Sequence, residues 1–364
     1  MCIYTYLELL FLCLLFLELV FDVKQVKRIV FVIGSISLIL LIGLRSNTVG
    51  ADTVNYVKMF SGENGVYGTM DHPEEEIEHG IYYIAWIIRL FSDEYWAWHL
   101  STSIITLFPF LYFVKKYSYV KAIPFFMFLA INWHFLYLNL TVMRQNLSVA
   151  FFLMAVIVYL RFGNEKKILL LLLFLISFFI HRSIIIAIAI FFMLQYVKFD
   201  KKIIVAILFL SILAGILVER TLYDVVQLVN VISDTSATER FAEYDKNNFT
   251  SSVNFNRLGP ATIYVVILTL CSKKENFKDL RFRFLITGCV FYNLSASINI
   301  AMRLVYPLTF LGITYVPVSI CKKENILYRF AIIMIMLFFF YANIKKYNGK
   351  DDYDNTYPYT FVWE

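Results

Sequence analysis

Long apolar runs alternate with short polar segments along the whole chain, and within the runs there is no two-residue alternation of the β-strand kind. The block ILLLLLFLISFFI at 168–180 is apolar at nearly every position, which suits a helix in lipid and not a strand of an outer-membrane barrel. Twelve such segments predict helices: 2–21, 29–44, 95–114, 122–138, 146–160, 168–180, 184–197, 203–218, 258–272, 284–300, 304–320 and 326–341. A single helix over 168–197 would be about 45 Å long against a hydrocarbon core of about 30 Å. The pattern therefore predicts two short helices that turn at His181-Arg182-Ser183.

Polar segments 45–94 and 219–257 and the tail 342–364 separate or follow these runs. Within the first, residues 81–90 are apolar but too short to span, and predict an interfacial helix. Residues 2–21 lack the basic region and small-residue cleavage site of a signal peptide and read as a retained first helix. The expected fold is an all-α polytopic membrane protein of about twelve transmembrane helices, forming one membrane domain over 1–364.

Composition narrows the class. Of 364 residues, 60% are hydrophobic and 16% charged, and the mean hydropathy is +0.68, which excludes a water-soluble globular enzyme. The net charge of +6 could point to nucleic acid, but its distribution points to the membrane. Six alternate loops, 22–28, 115–121, 161–167, 198–202, 273–283 and 321–329, hold 20 of the 33 basic residues and 6 of the 27 acidic ones. Cytoplasmic loops are enriched in Lys and Arg, so these loops face the cytoplasm and both termini face out. The only acidic residues inside predicted spans are Glu8 and Glu18. Five cysteines without a CxxC pair read as small core residues.

Four arginines break the cytoplasmic bias. Arg45 ends the second helix, Arg144 opens the fifth, Arg182 sits at the predicted turn, and Arg303 lies between the tenth and eleventh. All four fall at the outer headgroup depth. Each alone could snorkel to lipid phosphate, but guanidinium is also a fixed fork suited to bidentate phosphate contacts. At the same depth lie the potential bases Asp52 and His181, with Glu78 and His79 just before the interfacial helix. Asp52 could equally be the N-cap of a short helix. The segment from His72 to His79 has no standard zinc spacing, and Asp352-Tyr353-Asp354 has the DxD form but lies in the external tail. Trp86, Trp96 and Trp98 read as an interfacial aromatic belt.

These positions carry a resemblance. Gly43-Leu44-Arg45, followed by Val49-Gly50-Ala51-Asp52-Thr53-Val54-Asn55-Tyr56, resembles the signature of the EpsG family, Wzy-like polysaccharide polymerases. Glu78-His79-Gly80, Arg144-Gln145, His181-Arg182-Ser183, Arg303-Leu304-Val305-Tyr306 and Tyr357-Pro358-Tyr359 are similar to its later elements, in order. His79 stands where proline is usual, and Arg182 lies inside the H-x-S turn.

The resemblance implies a multi-pass enzyme of the bacterial inner or cytoplasmic membrane with a GT-C-like helical arrangement. Its active site would face the periplasm or exterior. The implied reaction moves a growing glycan from a polyprenyl diphosphate carrier to the nonreducing end of another lipid-linked repeat, with no metal or other cofactor. Arg45, Arg144, Arg182 and Arg303 would bind the diphosphate. Asp52 or His181 would orient or deprotonate the acceptor, while Gln145, Tyr56, Glu78 and Tyr306 would contact substrate. Expected partners are the polyprenyl-diphosphate-linked oligosaccharide, membrane lipid and a chain-length regulator protein, with no nucleic acid. A polysaccharide ligase with the same donor, and a flippase or transporter of lipid-linked oligosaccharide, remain alternatives.

Overall fold

The computed structural model describes residues 3–62, 80–130, 135–232, 255–295, 302–317, 326–347 and 359–363. Among these, secondary structure is helical apart from one isolated β-bridge. The helices are α1 Ile3–Phe21, α2 Lys24–Gly43, α3 Thr53–Ser61, α4 Gly80–Arg89, α5 Tyr95–Tyr117, α6 Ala122–Ala130, α7 Phe135–Thr141 and α8 Met143–Phe162. They continue as α9 Lys167–Ile180, α10 Ile185–Tyr196, α11 Lys201–Ile232, α12 Phe255–Cys271, α13 Leu280–Leu294, α14 Met302–Gly312 and α15 Ile326–Tyr347.

Five stretches are long and apolar enough to cross a bilayer: Ile3–Phe21, Lys24–Gly43, Tyr95–Tyr117, Met143–Phe162 and Ile326–Asn343. Lys167–Ile180, Arg182–Tyr196 and Leu258–Cys271 are shorter apolar helices. This is the build of a polytopic membrane protein. The chain packs as two units, Met1–Phe192 with Met336–Glu364, and Met193–Ile335.

In the first unit, α1, α2 and α5 alternate in direction, and the chemistry of their ends segregates accordingly. At one end Lys27 pairs with Asp22 at 2.6 Å and lies 3.4 Å from the Tyr119 ring centroid. Next to it the buried Glu18 carboxylate accepts from the backbone N–H groups of Lys121 (2.7 Å) and Ala122 (2.9 Å), satisfying orphan donors at the start of α6. Glu8 accepts from Asn343 Nδ2 at 2.9 Å. Both intramembrane carboxylates are therefore tied into helix packing. At the opposite end, Tyr4 of α1 packs edge-on to Tyr359 at 5.8 Å, so both described chain ends sit there. Aromatic rings fill the space between the helices: Phe125 of α6 lies 5.7 Å from Phe11 and 6.0 Å from Phe110.

The predicted turn at His181 is present. Phe174, six residues before Ile180, meets Phe191 of α10 at 5.5 Å, and Phe152 of α8 packs 5.9 Å from Phe174. A continuous helix would hold residues 174 and 191 about 25 Å apart, so the chain reverses between them.

Other boundaries differ from the pattern. Within the run 122–138 the described residues form α6, Ala122–Ala130, and the start of α7, Phe135–Thr141, which leads almost directly into α8. Val142, between them, has φ −106° and ψ 65°, outside the helical region. Beyond residue 218 the helix persists to Ile232, so part of the segment expected to be a polar external loop is helical. Its 32 residues span about 48 Å, more than the hydrocarbon core needs. Conversely, α14 has only 11 residues and stops at Gly312, well short of the predicted residue 320. Trp98 is not part of a lipid-facing belt: it is fully buried and stacks on Phe60 at 5.3 Å, whereas Trp86 and Trp96 are exposed. Of the cysteines, Cys271 and Cys289 are buried as expected and Cys13 is exposed.

In the second unit a polar knot joins α11, α12 and α13. Asn293 Nδ2 donates to Ser211 Oγ at 2.8 Å, and Thr262 Oγ1 donates to Asn293 Oδ1 at 3.2 Å. Such side-chain bonds serve as interhelical glue in lipid. At the basic 273–283 segment, Arg281 holds Asp279 at 2.6 Å and donates to the Thr314 carbonyl at 3.0 Å.

Candidate functional site

Four stretches distant in sequence meet in the first unit: 49–60, 80–88, 140–147 and 177–184. Their shared floor is an apolar cluster containing Tyr56, Phe60, Ile81, Trp98, Leu147 and Ile180. Tyr56, expected at the substrate, is thus 8% exposed and part of this floor.

The approach of 49–56 to α7 depends on Gly50. Its φ is +100°, in the region that disfavours side chains, and a Cβ there would lie 2.2 Å from the Leu140 carbonyl oxygen. Thr53 secures the contact. Its buried hydroxyl donates to the Val49 carbonyl at 2.7 Å, with the Leu140 carbonyl also in range at 3.0 Å. Asp52 occupies the N-cap position of α3, but its φ of −92° and ψ of 0° are αR and its carboxylate does not cap the helix. Its carbonyl accepts from Tyr56 N at 3.1 Å. Asp52 is half-buried, between Gly50 and Thr53, which both touch Leu140.

Gly80 makes a second close approach. A Cβ would sit 2.8 Å from the Phe179 carbonyl oxygen and 2.9 Å from Ile180 Cα, so α4 can reach the end of α9 only with glycine here. The far face of α4 carries Tyr83, Trp86 and Ile87 exposed, in keeping with an interfacial helix.

Arg144, in the first turn of α8, is half-buried and lies within electrostatic reach of the Tyr82 phenol. Burial pushes that phenol up, with Arg144 pulling the other way. Gln145 beside it is 2% exposed. One turn on, Ser148 Oγ donates to the Ser177 carbonyl at 2.7 Å, while Ser177 Oγ donates to the Ser148 carbonyl at 2.6 Å. This reciprocal pair locks α8 to α9 one turn below both Arg144 and His181. His181 is extended (φ −159°, ψ 112°) and half-buried, and Arg182, opening a 3-10 turn, is exposed. The turn therefore presents an imidazole and a guanidinium next to the helix that begins with Arg144.

Arg45 sits in a different setting. It is fully buried, donates through Nη1 to the Ile42 carbonyl, and pairs across an antiparallel bridge with Phe361. Snorkelling is ruled out for this residue, since its head is inside the protein. Tyr306 is buried in α14 of the second unit, 5.1 Å from Phe310. The Arg303 side chain, Glu78, His79, His72, Asp352, Asp354 and the Tyr357-Pro358 pair lie outside the described residues.

Sequence reasoning brought out Asp52, Arg144, His181 and Arg182 but missed the serine pair and the docking of Thr53 on Leu140. Those residues interact through backbone carbonyls, which leave no side-chain signature. It also missed His99, which is fully buried in the first turns of α5.

The family model described as EpsG family matches residues 28–361. No curated protein sequence and no solved structure matches the chain.

Proposed function

The chain belongs to the EpsG family of Wzy-like polysaccharide polymerases, and from that premise we propose that it joins lipid-linked oligosaccharide repeat units. The growing glycan leaves its polyprenyl diphosphate and passes to the nonreducing end of another lipid-linked repeat. The reaction takes place at the outer face of the bacterial cytoplasmic membrane, in a protein of twelve crossings with a GT-C-like arrangement. What supports the reading is the meeting, in one unit, of the segments that carry Asp52, Arg144, His181 and Arg182, which are also the segments that resemble the family's motifs.

In the proposed step the acceptor hydroxyl oxygen forms a bond to the anomeric carbon as the bond from that carbon to the diphosphate oxygen breaks. The electron pair stays on the diphosphate, and the hydroxyl proton goes to Asp52 or His181. Charge develops on the leaving oxygen through an oxocarbenium-like state. A diphosphate leaves without protonation when fixed cations stabilise it, and Arg144 and Arg182 supply them. Gln145 and Glu78 position the sugars.

Purified protein given a lipid-linked repeat should yield a ladder of products. Losing one arginine contact formed mainly in the transition state should slow elongation by about 30- to 1000-fold. Arg144→Lys and Arg182→Lys should each reach the membrane at normal level and leave mostly single repeats, because lysine lacks the fork. Full-length polymer from both lysine variants would reduce the arginines to membrane anchors and overturn the clamp.

A further inference from the structure

Arg45 and His99 are both fully buried, and their polar atoms are poorly served. Arg45 Nε and Nη2, which form one edge of the guanidinium, have no hydrogen-bond partner among the described residues, and neither has His99 Nδ1 or Nε2. The two residues lie within electrostatic range of each other. The ionisable neighbours of Arg45 among the described residues are Tyr4 and Tyr359, which are neutral near pH 7 and cannot balance its charge. Desolvation pushes the Arg45 guanidinium down to about 10, so it remains cationic at neutral pH. Among the described residues, a buried cation without a carboxylate counter-charge, within electrostatic range of an imidazole whose ring meets Tyr95 edge-on at 5.9 Å but whose nitrogens have no hydrogen-bond partner, is a costly arrangement unless something completes it.

The unpartnered donors themselves point to what completes them. The Nε/Nη2 edge is the fork that grips two oxygens of an oxyanion side by side. An imidazole N–H adds a third donor, which suits a group with three terminal oxygens. Residues 359–363 close over the pair: Ser46 N donates to the Thr360 carbonyl and Val362 N to the Leu44 carbonyl, each at 2.9 Å. Tyr359 Oη donates to the Leu41 carbonyl at 2.7 Å, and Tyr95 Oη to the Val362 carbonyl at 3.0 Å.

We propose that Arg45 and His99 form a buried oxyanion site, covered by residues 359–363, that takes a phosphate-class group. The group is the diphosphate of a lipid-linked substrate or the phosphate of a membrane lipid. Arg45, which the family resemblance put with the diphosphate-binding arginines, is here joined to His99 in a site distinct from the clamp of Arg144 and Arg182, and its assignment to diphosphate rests on the polymerase reading.

Thermal unfolding of the purified full-length protein in phosphate-free detergent tests it, with inorganic pyrophosphate and short-chain phosphatidylglycerol as the two probes. The measurement is made in an Arg144→Lys/Arg182→Lys background, so that a response belonging to the donor clamp is weakened beforehand. One of the probes should still raise the unfolding temperature. Adding Arg45→Lys should weaken its apparent affinity at least tenfold, and adding His99→Gln instead should weaken it about threefold. A response to pyrophosphate assigns the site to diphosphate, and a response to the lipid alone assigns it to a headgroup. No response to either probe, or a response that His99→Gln and Arg45→Lys leave unchanged, overturns the proposal. If Arg45→Lys fails to fold, His99→Gln decides alone, since glutamine keeps the volume and polarity of the site.

Discussion

Ser148 and Ser177 each donate their hydroxyl to the other's backbone carbonyl, at 2.7 and 2.6 Å, with their oxygens 3.2 Å apart. Both are completely buried, so the pair is a two-way clasp between α8 and α9 immediately beneath the Arg144 and His181 ends. A small side chain at each position also lets the two helices approach closely, as in other membrane helix pairs. Replacing either by alanine should cost about 1 kcal/mol. In Ser148→Ala/Ser177→Ala the losses should fall short of their sum, because each single change already spoils the shared geometry. Unfolding of the four proteins in detergent measures this coupling, and strict additivity would mean that the clasp is two independent bonds.

Gly50 and Gly80 permit the two backbone approaches that assemble the site, and they should not tolerate a methyl group. For Gly50→Ala the Cβ lies 2.2 Å from a backbone oxygen and φ is +100°, so both contact and conformation oppose it. A loss of more than about 2 kcal/mol is expected, with polymer abolished. Gly80→Ala should be milder in backbone strain, since its penalty is contact alone. Membrane yield and glycan ladders of the two variants compare them. A normal ladder from Gly50→Ala would show that residues 49–56 do not need to dock on Leu140.

Asp52 separates a structural role from a chemical one. Because its carboxylate does not cap α3, Asp52→Asn should leave the start of that helix capped as in the parent. If Asp52 takes the acceptor proton, the same change should lower the turnover rate by about 100- to 10,000-fold. His181→Gln should then affect the rate less. The acid limb of the pH–rate profile reports which group must be deprotonated, and its survival in Asp52→Asn but not in His181→Gln would move the role of base to His181.

The shared position of residues 4, 45 and 359 at one end of the first unit, opposite Lys27 and Lys121, predicts the topology. Reporter fusions after Lys116, Lys202 and Lys323 should score cytoplasmic, and those after Glu243 and Asp354 external. An external score after Lys202 would remove the reversal at His181 that the Phe174–Phe191 contact requires.

Much of the architecture follows from local sequence, for a plain reason. In lipid the backbone must satisfy its own hydrogen bonds, so an apolar run of sufficient length becomes a helix whatever surrounds it. The turn at His181 follows in the same way, from where apolar runs stop. Helix ends proved harder to read. An apolar run marks where lipid can lie but not where hydrogen bonding stops, as the break at Val142 and the persistence of α11 to Ile232 illustrate.

Tertiary structure alone decided the rest. Glu18, which the sequence marks only as one of two acidic residues inside predicted spans, caps the start of α6 through bonds spanning 103 residues. The serine clasp joins positions 29 residues apart, and Tyr359 reaches Leu41 across 318. Arg45 is the clearest case. Sequence placed it at the outer headgroup level with the other arginines, yet the closing of residues 359–363 buries it beside His99, while Arg182 stays exposed. Depth along a helix is encoded by the hydropathy of neighbouring residues. Burial depends on what a remote segment brings to cover the side chain, and no local pattern records that.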